Sequence, residues 1–132
     1  QTKYYTINHI PSDYVENAHY TSAKFEKDDS EFERCGFTEE YLFDFDAPFV
    51  KESRVKIGLK LQDMLPIELN KCMMVIGSIQ HLYVDDVAVK DDGQINLEML
   101  DDVGIGGLNS YYKLKRIAQF PYARVNELPD FK

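Results

Sequence analysis

The chain contains three histidines, and two of them fall in one short stretch, "INHIPSDYVENAHYTSAKF", at residues 7–25. Imidazole groups bind metal ions or move protons near neutral pH, so their spacing decides what chemistry they can share. His9, His19 and His81 lie on three separate predicted elements and form neither an H-x-x-x-H nor an H-E-x-x-H pattern. The sequence therefore predicts no metal site.

Nucleophilic catalysis requires a Ser or Cys beside a base, and the chain has no G-x-S-x-G motif. Cys35 adjoins acidic residues, which disfavour a reactive thiolate. Cys35 and Cys72 are far apart without a C-x-x-C motif, which predicts two reduced thiols rather than a disulfide. The "GIGG" at 104–107 lacks the spacing of a phosphate-binding loop, and it predicts a loop with positive φ or close packing. No catalytic side chain is expected.

The stretch at residues 7–25 still offers groups that can hold a polar ligand. The amide of Asn8 both donates and accepts hydrogen bonds, while Thr21, Ser22 and the end of a helix supply hydroxyl and backbone groups. Alternatively, Asn8 and His19 only satisfy local backbone groups where a strand meets a helix. The residues alone leave both interpretations open.

The elements that position these residues follow from the hydrophobic pattern. Residues 3–10 alternate as a strand, which a proline ends. Ser12 then has the character of an N-cap for a helix through about Ala23. On that helix His19 and Ser22 are predicted to share the inward side.

Two long strands form the clearest predicted element. Residues 54–62, "RVKIGLKLQ", alternate strictly, and a connection near "LPIELNK" leads into a second strand at 72–89. Strands of this length are long for a small domain, and Gly58 and Gly77 are plausible bend points. Long, bent antiparallel strands predict a β-barrel.

The remaining segments are shorter. Residues 30–33, "SEFE", have the spacing of a capping box that opens a short helix, and Gly36 can close it. Residues 41–53 suggest extended chain. After the Gly-rich segment, residues 121–132 are predicted to form an extended tail.

Composition bounds the function. A chain of 132 residues with 44% hydrophobic residues is one globular domain. Its net charge of −8 argues against nucleic-acid binding, which needs clustered Lys and Arg. No apolar run approaches the roughly 20 residues of a membrane-spanning helix, so a cytoplasmic protein without a membrane partner is expected. The acidic runs at 31–33, 85–86, 91–92 and 101–102 lack calcium-loop spacing and are predicted to be solvated turns or helix starts.

The order of several short segments carries a family resemblance. These are "YTINHI", "AHYTSAKF", "SEFERCGFT", "APFVKES", "VIGSIQHLYV", "DDGQINLEML" and "GLNSYYKLKRIAQFPYA". Together they cover nearly the whole chain, and in this order the sequence resembles the flavin reductase-like family of FMN-binding split-barrel proteins. No single segment is decisive.

The resemblance implies a mostly β fold, a β-barrel with short helices of the FMN-binding split-barrel type. It implies that residues 1–132 are one such domain and correspond to the C-terminal part of the family's domain. The N-terminal strands are then expected to be missing from this chain, and Gln1 as the first residue agrees with that expectation.

The function implied by the resemblance is that of an oxidoreductase. Family members hold FMN at the interface of a homodimer, and hydride passes from NAD(P)H to the flavin, so no catalytic acid or base is needed. We expect an NAD(P)H-dependent flavin oxidoreductase when the protein is full length. The alternatives are a flavin- or ligand-binding β-barrel module without turnover and a purely structural dimer domain.

The resemblance also implies cofactor-binding residues in this sequence. Asn8 and His9 end the strand before the flavin-facing turn, and a late tyrosine pair can stack near the ring or the partner subunit. For that pair, packing in the barrel core is the alternative. The predicted cofactor-binding set is Asn8, His9, His19, Thr21, Ser22, Ala23, Tyr111 and Tyr112.

Overall fold

A computed structural model describes residues 3–131 of the chain, which form short helices and mostly antiparallel strands. The strands are β1 (Tyr4–Asn8), β2 (Glu39–Glu40), β3 (Phe49–Val50), β4 (Val55–Ile67), β5 (Cys72–Val84), β6 (Val103–Gly106) and β7 (Ser110–Lys113). The α-helices are α1 (Val15–Tyr20) and α2 (Glu31–Cys35), and single 3-10 turns cover Ser12–Tyr14, Asp86–Ala88 and Val125–Glu127. The predicted mostly β class with short helices is confirmed. Over residues 3–131 the strands form three separate sheets rather than a closed barrel.

The main sheet has the strand order β1-β4-β5, and all its pairings are antiparallel. The β4–β5 register shifts between Gly58 and Leu59 and again after Leu61, which pairs with Gly77. Both predicted bend points therefore lie at irregularities of the sheet, where a bulge bends the strands.

The boundaries of the long strands differ from the prediction. β4 continues to Ile67 instead of turning near residue 65, and β5 ends at Val84 instead of residue 89. Strand β1 pairs with β4 up to Lys60, the Lys3 carbonyl accepts the N–H of Leu61, and no residue from 3 to 131 pairs with Pro66 on that side. A proline is compatible with a strand there because its missing N–H faces no partner.

The helix after β1 is shorter than predicted, and Ser12 is not its N-cap. Pro11 occupies the cap position of the 3-10 turn, and no side chain caps it. Ser12 instead donates its backbone N–H to the Asp101 carbonyl at 2.9 Å and its hydroxyl to the Asp101 carboxylate. A partner 89 residues away thus replaces the local cap. The prediction for α2 is confirmed, because Ser30 accepts the Glu33 N–H and Gly36 ends the helix in the left-handed conformation.

The core is small and divided in two. One cluster contains Phe45, Ala47 and Phe49, and the rings of Phe45 and Phe49 lie 3.2 Å from where a Cβ on Gly58 would be. The other cluster packs three buried residues from separate segments, Val55, Ala88 and Leu100. Cys35 is buried, Cys72 is exposed, and both are free thiols as predicted. No helix in the described part of the chain is long and apolar enough to span a membrane.

Candidate functional site

The β6–β7 hairpin and the segment between β1 and α1 meet along a line of hydrogen bonds. The N–H of Val103 donates to the Ile10 carbonyl at 3.0 Å, beside the Ser12–Asp101 bonds. Side chains add two further contacts, from His9 to Asp102 and from His19 to Tyr111. The chemically rich stretch at residues 7–25 is therefore attached to the late Gly-rich hairpin, and the candidate site lies along this junction.

The first side-chain contact is a hydrogen bond between an imidazole and a carboxylate. His9 Nδ1 lies 2.9 Å from Asp102 Oδ2, with the carboxylate side chain 3% exposed and the imidazole 38% exposed. A donor at Nδ1 leaves Nε2 directed away from the carboxylate. The second carboxylate oxygen, Oδ1, is buried and has no hydrogen-bond partner among residues 3–131. An unpaired buried oxygen carries a desolvation cost, which makes Asp102 depend strongly on His9.

The second contact brings together two predicted site residues. His19 Nδ1 lies 3.1 Å from the Tyr111 hydroxyl, and the two rings meet edge to face with centroids 5.9 Å apart. The ring of Tyr20 meets His19 in the same edge-on manner at 5.7 Å. His19 is half-buried, so its prediction as an inward residue agrees with the structure. The three rings form an aromatic corner with polar edges.

The hydroxyls that follow α1 turn back onto the helix. Thr21 Oγ1 donates to the Ala18 carbonyl and Ser22 Oγ donates to the His19 carbonyl, each at 2.8 Å. The backbone N–H groups of Thr21 and Ser22 donate to the same two carbonyls, so the hydroxyls add a second bond at each, and the hydroxyl lone pairs remain available as acceptors. Ser22 and Ala23 are exposed, so the prediction that Ser22 faces inward is wrong. The helix ends before it, and a turn directs it to solvent.

Asn8 lies apart from the aromatic corner and has structural partners. It donates to Thr6 Oγ1 at 3.0 Å and accepts the N–H of Val50 at 3.1 Å, which attaches β3 to β1. Asn8 and Thr21 both line an open cavity of about 340 Å³ between β1 and the helices. The amide is therefore mostly used inside the protein, but its partners are a hydroxyl of β1 and the backbone of β3 rather than local backbone groups at the start of the helix.

Tyr112 does not share the environment of Tyr111. Its ring is 61% exposed and crosses Gly106, where an added Cβ would lie 2.8 Å from Cε2. The alternative of core packing is therefore wrong for Tyr112. Within "GIGG", only Gly107 has a positive φ, of 66°, while Gly104 and Gly106 lie in β6 against side chains of the following strand region. Close packing explains most of this motif.

Asp101 and Asp102 were expected to be a solvated turn, and the prediction is wrong for Asp102, which is buried against His9. The hydroxyl of Ser12 is the main cause that holds the pKa of Asp101 below its ordinary value, and Lys113 at 3.3 Å adds to it. In residues 3–131 no three His, Cys, Asp or Glu side chains converge as metal ligands would.

No model of a known protein family matches the chain. Several solved structures are similar to it. A proposed flavin reductase with a split barrel domain from Shewanella frigidimarina is 51% identical and superposes with a TM-score of 0.89 over 93% of this chain. The chain is therefore similar in sequence and fold to flavin reductase-like split-barrel proteins.

More distant structures share the split-barrel fold. Flavoredoxin of Desulfovibrio vulgaris is 24% identical with a TM-score of 0.79 over 92% of the chain. An FMN-binding domain of a flavin reductase-like enzyme from Shewanella baltica is 16% identical with a TM-score of 0.69 over the same share. This split-barrel chain spans 62% of the first of these three structures, 64% of the second and 65% of the third.

Sequence reasoning on this split-barrel chain missed the two aspartates of the junction. Asp101 and Asp102 follow one another in a turn-like segment, and nothing local distinguishes them from the other acidic pairs. Their partners, Ser12 and His9, are 89 and 93 residues away. No signal in the local sequence identifies these aspartates, because both partners are distant along the chain.

Proposed function

We propose that the chain binds FMN and forms part of a flavin reductase-like oxidoreductase that acts as a homodimer. The observation that carries the proposal is the 3.1 Å contact between His19 and Tyr111. It joins two segments that the family resemblance independently assigns to the flavin site. The 51% identity to a proposed flavin reductase supports the same conclusion.

The hydroxyl oxygens at the junction suit a flavin ring or a ribityl chain better than they suit a phosphate group. The hydroxyls of Thr21 and Ser22 lie at the C-terminal end of α1, where helix carbonyls give a partial negative charge that disfavours an anion. The same oxygen atoms can accept hydrogen bonds from a flavin N–H or from ribityl hydroxyls. We therefore assign the ring or ribityl portion to this end of the helix.

When bound, FMN supplies the redox chemistry, accepting a hydride from NAD(P)H and passing its electrons on. The residues of this chain bind FMN and orient it. His19 fixes the Tyr111 hydroxyl, and Tyr111 fixes the β6–β7 hairpin against α1. The pair at His9 and Asp102 holds the start of the same hairpin. None of these roles requires a catalytic proton transfer.

FMN titration tests the proposal. We expect wild-type protein to quench FMN fluorescence on binding, and Tyr111→Phe to weaken the affinity about fivefold because one hydrogen bond is lost. Tyr41→Phe removes a hydroxyl from an exposed ring elsewhere and serves as the matched control. Wild-type protein that stays colourless in excess FMN would contradict the proposal and favour the structural dimer domain.

Anaerobic reduction separates the enzyme from the flavin-binding module. An NAD(P)H-dependent reductase loses its visible flavin absorbance when NADH or NADPH is added, and the absorbance returns with air. A protein that binds FMN but keeps its absorbance after NADH or NADPH is added is a binding module. Since the chain spans less than two thirds of its solved relatives, the same measurement on a protein of the relatives' length is the necessary comparison.

A further inference from the structure

The β6–β7 hairpin is attached to the rest of the chain at its base. Leu100, two residues before Asp102, is fully buried in the second core cluster. The Asp102 carboxylate is buried against His9. After β7, the N–H of Arg116 donates to the Glu98 carboxylate at 2.7 Å. Both ends of the hairpin are therefore fixed where they leave the body of the protein.

The part of the hairpin beyond this base is held differently. We call residues 104–112 the flap. Within residues 3–131, the described hydrogen bonds, ion pairs and ring contacts of the flap stay inside the hairpin, apart from the contact between Tyr111 and His19. Ile105 is 61% exposed, and Leu108 at the tip is 94% exposed. The Tyr111 hydroxyl is therefore the latch that holds the flap on α1.

A flap built in this way opens easily. β6 and β7 form a two-stranded sheet that no third strand joins in the described part of the chain. Isolated two-stranded hairpins are at best marginally stable in water, so the flap depends on what it contacts. Segments with few buried apolar contacts and many exposed backbone hydrogen bonds open first. Loss of the 3.1 Å contact between His19 Nδ1 and the Tyr111 hydroxyl leaves the flap held at its base.

The place where the flap meets the body suggests what the opening is for. His19 lies in the last turn of α1, and the hydroxyls of Thr21 and Ser22 follow it and bond back onto the helix. The proposed function assigns the flavin ring or ribityl chain to these oxygen atoms. The latch is thus attached beside the same end of the helix that receives the ligand.

We propose that the flap is a lid on the flavin site, closed by the latch between Tyr111 and His19 and opened to admit and release FMN. The identity of the ligand rests on the proposed function, whereas the opening is a property of the chain alone. FMN shifts the flap towards the closed state by as much as it binds that state better than the open one. Tyr111 then controls the rate at which FMN leaves.

Distances between two spin labels test the opening. One label is attached at the flap tip through Leu108→Cys and the other on α1 through Glu16→Cys, both at exposed positions, in a chain with Cys72→Ser. The remaining thiol, Cys35, is buried. Excess unlabelled chain ensures that distances within one copy are measured. We expect a narrow distance distribution with the latch intact and a broad one, extending to longer distances, for Tyr111→Phe.

Two comparisons make the result specific to the latch. His19→Phe removes the same hydrogen bond from the other side, keeps an aromatic ring there, and is expected to broaden the distribution in the same way. Tyr41→Phe removes a hydroxyl from an exposed ring outside the flap and is expected to leave the distribution unchanged. Hydrogen exchange at the amides of β4 and β5 verifies that the main sheet is folded in each variant.

Stopped-flow binding of FMN tests the role of the lid. We expect Tyr111→Phe to raise the FMN dissociation rate about fivefold, because one hydrogen bond no longer holds the closed state, without slowing association. Tyr41→Phe is expected to leave both rates unchanged. Addition of FMN should also narrow the distance distribution of the labelled Tyr111→Phe chain.

An equally narrow distribution in wild type, Tyr111→Phe and His19→Phe would overturn the opening of the flap, whatever FMN does. FMN that binds and dissociates at rates unaffected by Tyr111→Phe contradicts the lid and leaves the proposed function standing. A flap freed by both latch variants in a protein that never binds FMN contradicts the proposed function, and with it the ligand of the lid, but not the opening.

Discussion

At one position of the main sheet, a side chain lies so close to the backbone that only a glycine fits without rearrangement. The clearest case is Gly77 in β5, above which the Tyr5 side chain lies. A Cβ at Gly77 would be 2.2 Å from the Tyr5 hydroxyl and 2.9 Å from Cζ. A side chain at Gly77 therefore requires the Tyr5 ring, which lies two strands away, or β5 itself to move.

We predict that Gly77→Ala destabilises the protein by about 1–3 kcal/mol, because the tyrosine ring has to move or β5 has to shift. Denaturant unfolding measures the change. Combining Gly77→Ala with Tyr5→Phe removes the closest atom and is expected to recover part of the loss. An alanine variant as stable as wild type would show that the ring is free to leave.

The pKa of Asp101 provides a second prediction at this scale. The Ser12 hydroxyl, and after it Lys113, hold the folded-state pKa of Asp101 below the ordinary value of 3.8. A lowered folded-state pKa gives stability that is present above 3.8 and is lost as the pH falls through the lower folded value. Ser12→Ala is expected to raise the pKa of Asp101, and Lys113→Met to raise it less.

Titration of the Asp101 carboxyl by NMR measures both variants directly. Unfolding curves below pH 4 (about the ordinary Asp range) should show that Ser12→Ala makes stability less dependent on pH there. A pKa of Asp101 that does not change in Ser12→Ala would remove the hydroxyl as its cause.

At the scale of elements, local patterns predicted strands and α2 well but failed where distant partners compete. Alternation of residue type located β1 and the start of β4, and the spacing of "SEFE" located α2. The cap at Ser12 failed because its hydrogen bonds go to Asp101 instead of the helix start. No local signal predicts a partner that only the folded sheet brings close.

The attachment of the β6–β7 hairpin gives the prediction at this scale. His9→Ala leaves the buried Asp102 carboxylate without its hydrogen-bond donor, and we expect a loss of about 1.5–3 kcal/mol. Hydrogen exchange at the Val103 amide should accelerate, since its hydrogen bond to the Ile10 carbonyl lies beside the His9–Asp102 contact. The double variant with Asp102→Ala is expected to cost less than the sum of the two single changes. Additive losses would show that the two side chains act independently.

For the whole molecule, the order of motifs predicted the family because it is distributed along the entire chain. The geometry of the site was harder to predict from the sequence. The sequence predicted both His19 and Tyr111 as cofactor-binding residues. The contact between them depends on how the β6–β7 hairpin folds back onto α1. Asn8 was also predicted to bind the cofactor, and in the structure it attaches β3 to β1.

Linkage between ligand and folding gives the prediction for the whole chain. FMN at a hundred times its dissociation constant is expected to stabilise the folded protein by about 2.7 kcal/mol, measured as a rise of the melting temperature with FMN concentration. At equal FMN concentration the rise should be smaller for Tyr111→Phe and unchanged for Tyr41→Phe. A melting temperature that ignores FMN would contradict binding to the folded state.

Pro66, near the end of β4, affects which strands can add to the main sheet. The N–H of Leu61 still donates to the Lys3 carbonyl, but no residue from 3 to 131 pairs with residues 64–67 on the edge of β4 that faces away from β5, and an unpaired edge can accept another strand. A proline on that edge offers no N–H to an incoming strand and its ring obstructs the approach. The end of β4 thereby resists the edge-to-edge pairing that starts a fibril.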